Sequence, residues 1–63
     1  MTPAALRAAR HELGLTQARL AVALGLDGRN AARTVRKWEA GRHPIGGPVA
    51  VAVGLLLERQ GRP

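Results

Sequence analysis

The lack of cysteine in a chain of only 63 residues is the feature that most limits its fold. A domain of about 60 residues buries only about 60% of the surface that its unfolded chain exposes, so its stability is marginal. Without thiols, neither disulfides nor thiolate-bound metal ions can reinforce the structure. Small proteins without such crosslinks depend on close helix packing or on oligomerisation. We therefore expect a single domain over residues 1–63, with a core of Leu, Val and Ala side chains.

Glycine, proline and threonine divide the chain into four segments. Thr2 and Thr16 stand where N-caps are expected, and Gly14 and Gly25 follow the last apolar residues of the first two segments. Apolar side chains recur at helical spacing at Leu6, Ala9 and Leu13, at Leu20, Ala21 and Leu24, and at Ala32, Val35 and Trp38. The pattern predicts three helices, the third beginning within residues 27–30 and ending at Gly41.

The fourth segment, residues 48–60, has mixed propensities. Its valines and Gly54 are poor helix formers, so propensity alone leaves a strand open. A strand there would have no partner, because no other part of the chain resembles one. We predict a helix, and hence an all-α domain of four to five helices.

The charge of the chain favours a polyanionic partner. Ten Lys and Arg residues oppose four Asp and Glu residues, which gives a net charge of +6 and a pI near 11.9. Basic and polar side chains gather on the face of the third helix that lies opposite Val35 and Trp38. They are Arg29, Asn30, Arg33, Thr34, Arg36 and Lys37.

Several classes of protein are not expected. There is no apolar run of 18 residues or more, and the first residues lack the apolar stretch and cleavage site of a signal peptide. No catalytic motif is present, and His11 and His43 are interpreted as surface residues. We expect no enzymatic activity, no cofactor and no metal site.

Segments two and three fit a helix-turn-helix unit over about residues 16–41, whose second helix enters the DNA major groove. Gly25 provides the turn, and Ala21 provides a small side chain where the two helices cross. The motifs LGLTQ at residues 13–17, LA and LG at residues 20–25, and TVRKWEAG at residues 34–41 resemble the Cro/CI-type (XRE) helix-turn-helix family. The resemblance covers about residues 4–42 and implies a lambda-repressor-like fold.

The resemblance also implies residue roles. Gln17 would contact the DNA backbone and support a base-reading side chain, and Arg33 and Lys37 would reach into the major groove. Thr34 would contact the backbone or a base methyl group. Arg10 and Glu39 would form a buried or half-buried salt bridge between the first helix and the end of the third.

Residues 27–30 make the connection to the third helix longer than the family pattern. The extra residues either lengthen the turn or add a turn to the front of the helix. Arg29 and Asn30 are then either base readers at the helix tip or loop residues that touch phosphate. Arg36 lies near the edge of the core and either contacts phosphate or packs there, and Arg42 is expected to follow the DNA backbone.

The fourth helix carries apolar side chains around most of its circumference, more than one small core can cover. We assign it to a homodimer interface, formed by Val49, Val53, Leu56 and Leu57. A two-fold dimer would place two recognition helices about 34 Å apart on an inverted repeat.

The sequence therefore predicts a cytoplasmic, nucleoid-associated dimer that binds duplex DNA at an inverted repeat and represses transcription by occluding a promoter. Proteins of this kind include autoregulatory phage regulators, antitoxins and regulators that accompany anti-CRISPR genes. Two alternatives stay open. One is an antitoxin-like protein-binding module, and the other is a cationic membrane-active peptide.

Overall fold

A computed structural model describes residues 1–61. Within that range all regular secondary structure is α-helix, and turns and loops join the helices. Helix α1 spans Pro3–Glu12, α2 Gln17–Ala23, α3 Ala31–Glu39 and α4 Gly47–Gln60. The all-α prediction is confirmed, and the valine-rich fourth segment is a helix rather than a strand. Along residues 1–61, none of the helices combines the length and apolar character that crossing a membrane requires.

Both predicted threonine caps are present. The Thr2 hydroxyl accepts a hydrogen bond from the amide of Ala5 at 3.0 Å, and the Thr16 hydroxyl accepts one from the amide of Arg19 at 3.1 Å. Pro3 occupies the first turn of α1, where its missing N–H has no helical partner to lose. These local hydrogen bonds fix the residues at which α1 and α2 begin.

Helix α2 is followed by a turn at Gly25, which has a φ of +79°. The amide of Leu26 donates to the carbonyl of Ala21 at 2.9 Å, and the amide of Gly25 donates to the carbonyl of Val22 at 3.0 Å. This is the Schellman arrangement, whose left-handed residue glycine adopts without steric cost. The same pair of hydrogen bonds ends α1 at Gly14 and α3 at Gly41.

Residues 27–30 lie in the connection between α2 and α3, and α3 begins at Ala31. The extra residues therefore lengthen the turn and do not extend α3. Asn30 occupies the N-cap position, but its side chain makes no capping hydrogen bond.

The core draws on all four helices. Leu6 and Ala9 of α1, Leu20 and Ala21 of α2, Val35 of α3 and Val53 of α4 are buried. Helix α3 packs mainly against α2 and also contacts α1, while α4 contacts α1. Each fully buried Leu or Val contributes about 1.5–3 kcal/mol of hydrophobic stabilisation. The buried side chains that hold α2 and α3 together are thus part of the one core that all four helices share.

The packing of α4 against the core differs from the prediction of a homodimer interface on this helix. Val53 is fully buried in the core of its own domain, so it is not available to a second copy. Val49, Leu56 and Leu57 are partly buried against the same core. The large apolar side chains that α4 exposes are instead Val51, 64% exposed, and Leu55, 54% exposed. Helical periodicity places them on the opposite side of the helix, and the sequence pattern alone did not separate the two sides.

Candidate nucleic-acid interface

Helix α3 has one buried side and one basic side. Val35 is fully buried, and Trp38 packs partly buried against the core, as expected from the sequence. Arg33 and Arg36 are exposed, and Lys37 is half-buried. Because an α-helix repeats every 3.6 residues, burying Val35 turns Arg33 and Lys37 away from the core.

Two adjoining surface depressions bring the predicted DNA-binding residues together. The first is lined by Gln17, Arg29, Asn30, Ala32, Arg33 and Arg36, and the second by Arg33, Arg36, Lys37, Ala40 and Arg42. Arg33 and Arg36 line both depressions, so the two form one continuous surface. We call it the α3 face, and define it as Gln17, Arg29, Asn30, Arg33, Arg36, Lys37, Ala40 and Arg42.

Thr34 is the one predicted DNA-binding residue that lines neither depression. It is half-buried, and its hydroxyl donates to the backbone carbonyl of Asn30 at 3.0 Å. The hydroxyl proton is therefore engaged in the first turn of α3, and the predicted contact of Thr34 with the DNA backbone or a base methyl group stays a prediction.

The α3 face is cationic and lacks acidic residues. Five of its side chains are Arg or Lys, and none of the residues that line the two depressions carries a carboxylate. The one acid in α3 is Glu39, which is only 5% exposed. An unopposed cluster of positive charge concentrates the field over this part of the surface.

The predicted salt bridge between Arg10 and Glu39 is present and bidentate. Arg10 Nε donates to Glu39 Oε2 at 2.7 Å, and Arg10 Nη2 donates to Oε1 at 3.1 Å. Arg10 Nη1 also donates to the carbonyl of Leu15 at 3.1 Å. The pair therefore joins α1 to the end of α3 and ties both to the loop before α2.

A second arginine, Arg7, approaches the same carboxylate. This contact was not predicted from the sequence. Arg7 Nε lies 3.5 Å from Glu39 Oε1, although the Arg7 side chain is 59% exposed. Arg7 and Arg10 are three residues apart and share one side of α1, which is the signal in the sequence that would have indicated this contact.

The ionisation of Glu39 follows from these contacts. Burial raises the pKa of Glu39, but the hydrogen bond and charge of Arg10, with smaller contributions from hydrogen bonds by Gln17 and Arg7, hold it below its ordinary value. The hydrogen bond with Glu39 raises the pKa of Arg10 against the opposing effect of burial. Glu39 is thus a carboxylate at neutral pH, and its charge is compensated from α1.

Gln17 connects the salt bridge with the α3 face. It is half-buried at the start of α2, is among the side chains that lower the pKa of Glu39, and also lines the first depression. One side chain therefore contacts the buried carboxylate and borders the cationic surface.

Within residues 1–61, no group of three or more His, Cys, Asp or Glu side chains is placed so that it could hold a metal ion. The comparisons with known proteins identify no relative: no family model matches the chain, and no curated protein or solved structure is significantly similar to it. The interpretation of the α3 face therefore depends on its geometry and charge, and membership of the XRE family stays a prediction.

Proposed function

We propose that the chain is a sequence-specific regulator that binds duplex DNA through the α3 face and has no catalytic role. The observation that carries the proposal is the gathering of five cationic side chains, with no carboxylate among them, around one exposed side of α3. Cationic side chains that neutralise phosphates provide most of the affinity of proteins for DNA. Arginine also reads base edges directly in the major groove.

The dimensions of α3 suit the major groove. With its side chains a helix is about 10–12 Å across, and the groove of B-DNA is about 12 Å wide. The nine residues of α3 extend over about 13 Å, which corresponds to about four base-pair steps. Arg33 and Lys37 would enter the groove, while Arg29 before the helix and Arg42 after it would contact phosphates on either side.

We propose further that two copies bind one inverted repeat. Val51 and Leu55 lie one helical turn apart on the side of α4 that faces away from the core. Contiguous exposed apolar surface can mark an interaction site, and these two neighbouring side chains are the part of α4 that such a site would use. A two-fold axis would pack this surface against the same surface of a second copy, because such an interface is self-complementary.

Repression by occlusion is the simplest mechanism for such a protein. A dimer on an operator that overlaps a promoter excludes the polymerase without any further domain or ligand. If the operator lay upstream of the gene for the protein itself, the same binding would regulate its own synthesis.

A charge-matched pair of double variants tests the proposal. Arg33→Ala with Arg36→Ala removes two cations from the α3 face, whereas Arg19→Ala with Arg59→Ala removes two exposed cations from outside it. In fluorescence anisotropy with duplex DNA, the first variant should lose most of its affinity and the second should retain it. Equal losses would show that net charge alone drives binding and that α3 is not the DNA-binding element.

A further inference from the structure

We infer that α3 reads two guanines, about two base pairs apart, in each half-site of its DNA target. The inference rests on the proposed DNA-binding function and specifies the bases that the α3 face recognises. It is carried by the direction and spacing of Arg33 and Lys37 and by the kinds of hydrogen bond that their side chains make.

The spacing of the two cations sets the spacing of the bases. Arg33 and Lys37 are four residues apart, and the burial of Val35 turns both away from the core. A rise of 1.5 Å per residue separates their Cα atoms by about 6 Å along the helix axis. Successive bases of one strand are about 3.4 Å apart, so two readers about 6 Å apart reach positions about two steps apart.

The outward side of α3 offers no other side chain long enough to read a base in line with these two. Ala40, one turn beyond Lys37, is exposed and presents only a methyl group. Arg36 lies about 100° around the helix from Val35 and borders Gln17 in the first depression, on the side towards α2. We therefore assign Arg36 to phosphate and the two readings to Arg33 and Lys37.

Donor chemistry selects guanine. Arginine and lysine side chains donate hydrogen bonds and cannot accept them. In the major groove guanine presents two acceptors, O6 and N7. Cytosine presents a donor, adenine presents a donor beside one acceptor, and thymine presents a single acceptor, O4, beside its methyl group, so guanine alone matches two donors. The one carboxylate of α3 that would match a donor is Glu39, and it is buried against Arg10.

The two readers are also not engaged elsewhere. The ion pairs of Glu39 are made by Arg7 and Arg10 of α1, and within residues 1–61 neither Arg33 nor Lys37 forms a salt bridge. Binding a guanine therefore breaks no existing ion pair. Asn30, at the edge of the α3 face, is an exposed side chain with both a donor and an acceptor, so we assign any preference for adenine to a position outside the guanine pair.

Selection of bound duplexes from a randomised pool is the first test. The wild-type chain should enrich half-sites with guanines about two base pairs apart. Enrichment of a motif without that pair would overturn the inference and leave the proposed function intact. Absence of binding to any duplex would overturn both.

Base analogues identify the groups that are read. Replacing either guanine by 7-deazaguanine removes N7, and should weaken binding by about 5- to 150-fold where an arginine reads both acceptors, and by less at the lysine position. Inosine is the matched control, because it keeps O6 and N7 and lacks only the minor-groove amino group. A loss of affinity with inosine that equals the loss with 7-deazaguanine would place the contact in the minor groove and overturn the inference.

Protein variants then assign each base to its reader. Arg33→Ala should abolish the effect of 7-deazaguanine at one position only, and Lys37→Ala should abolish it at the other. Arg19→Ala on α2, exposed and outside both the α3 face and the proposed dimer surface, is the charge-matched control and should leave both effects unchanged. If neither α3 variant changes the response to the analogues, these side chains do not read the guanines.

Discussion

Two groups of arginines on the α1 and α3 side of the domain have different surroundings. Arg10, with Arg7, is committed to the carboxylate of Glu39. Arg33 and Arg36 are exposed and line the cationic depressions. The division follows from burial, because a buried carboxylate requires a partner, whereas an exposed guanidinium is solvated and remains available to a ligand.

Arg33→Ala is expected to weaken binding to the selected operator by about 1–3 kcal/mol and to relax the preference at one base position in each half-site. The physical reason is the loss of a donor fork that faces away from the core. Titrations on operator and on random duplex provide the measurement. Equal losses on both would mean that Arg33 touches only phosphate.

The stability of the domain should depend on pH through Glu39. Because the pKa of Glu39 is lowered in the folded chain, ionised Glu39 contributes stability that is fully present above its ordinary pKa of about 4.5 and is lost as the pH falls through the lower, folded value. Urea denaturation between neutral pH and about pH 3 should show this loss.

Glu39→Gln is the control for that titration. The variant should be less stable at neutral pH, because Arg10, whose side chain is 14% exposed, loses its charged partner. It should also lose the part of the pH dependence that Glu39 contributes. A variant that is as pH-dependent as the wild type would assign the transition to other carboxylates.

The stability of the two shortest helices, α2 and α3, depends on the turns that end them and on the helices packed against them. With seven and nine residues, α2 and α3 are below the length of about 12–15 residues at which an isolated helix becomes even marginally stable. They persist because Leu20, Ala21 and Val35 are buried between helices and because a glycine turn ends each helix. The geometry of the α3 face therefore depends on the α2–α3 contact rather than on helix propensity.

Two glycine substitutions should shift stability in opposite directions. Gly25→Ala should destabilise the domain by about 1–2 kcal/mol, because alanine is strained at a φ of +79°. Gly54→Ala, in the exposed interior of α4 with no atom within 4 Å of the added methyl group, should stabilise it by about 0.5–1 kcal/mol. Thermal denaturation of both variants is the measurement, and a shift of the same sign in both would contradict this account.

The whole molecule has a small core and more apolar surface on α4 than the core covers. The Cα radius of gyration is 10.8 Å, close to the roughly 10.6 Å expected for a folded chain of this length. The domain is therefore compact as a single copy, yet Val51 and Leu55 stay exposed.

The proposed dimer predicts that Leu55→Glu is monomeric. A carboxylate at this position is solvated in the single copy but desolvated without a partner in the dimer, at a cost of several kcal/mol. Val22→Glu is the control, because Val22 is 73% exposed on α2 and lies outside the proposed interface. Sedimentation equilibrium should give a dimer for the wild type and for Val22→Glu. A wild-type monomer would exclude the dimer, and a complex with an unlike protein would favour the antitoxin-like alternative.

Binding to DNA should weaken steeply with salt. If a dimer makes about 6–10 phosphate contacts, its affinity should fall by about 10³–10⁵ between about 50 and 200 mM salt. Arg42→Ala should weaken binding to all duplexes equally and reduce the slope by about one for each chain. A nearly flat salt response would contradict the assignment of the α3 face to phosphates.

Much of the fold was predictable because its determinants are local. The caps at Thr2 and Thr16 and the turn at Gly25 use hydrogen bonds between residues no more than five positions apart. The spacing of apolar residues then identified the side of α3 that is buried, and with it the cationic residues that face outward. Such features can be predicted from the sequence, because short-range hydrogen bonds and helical periodicity depend only on residues that are close along the chain.

The remaining features required the packed domain. Only the structure places residues 27–30 in the turn, buries Val53 instead of Val51, and brings Arg7 to Glu39, 32 positions along the chain. In each case the local sequence is compatible with more than one arrangement. The choice among them is made by burial against helices that are distant in sequence, and local propensity contains no information about that contact.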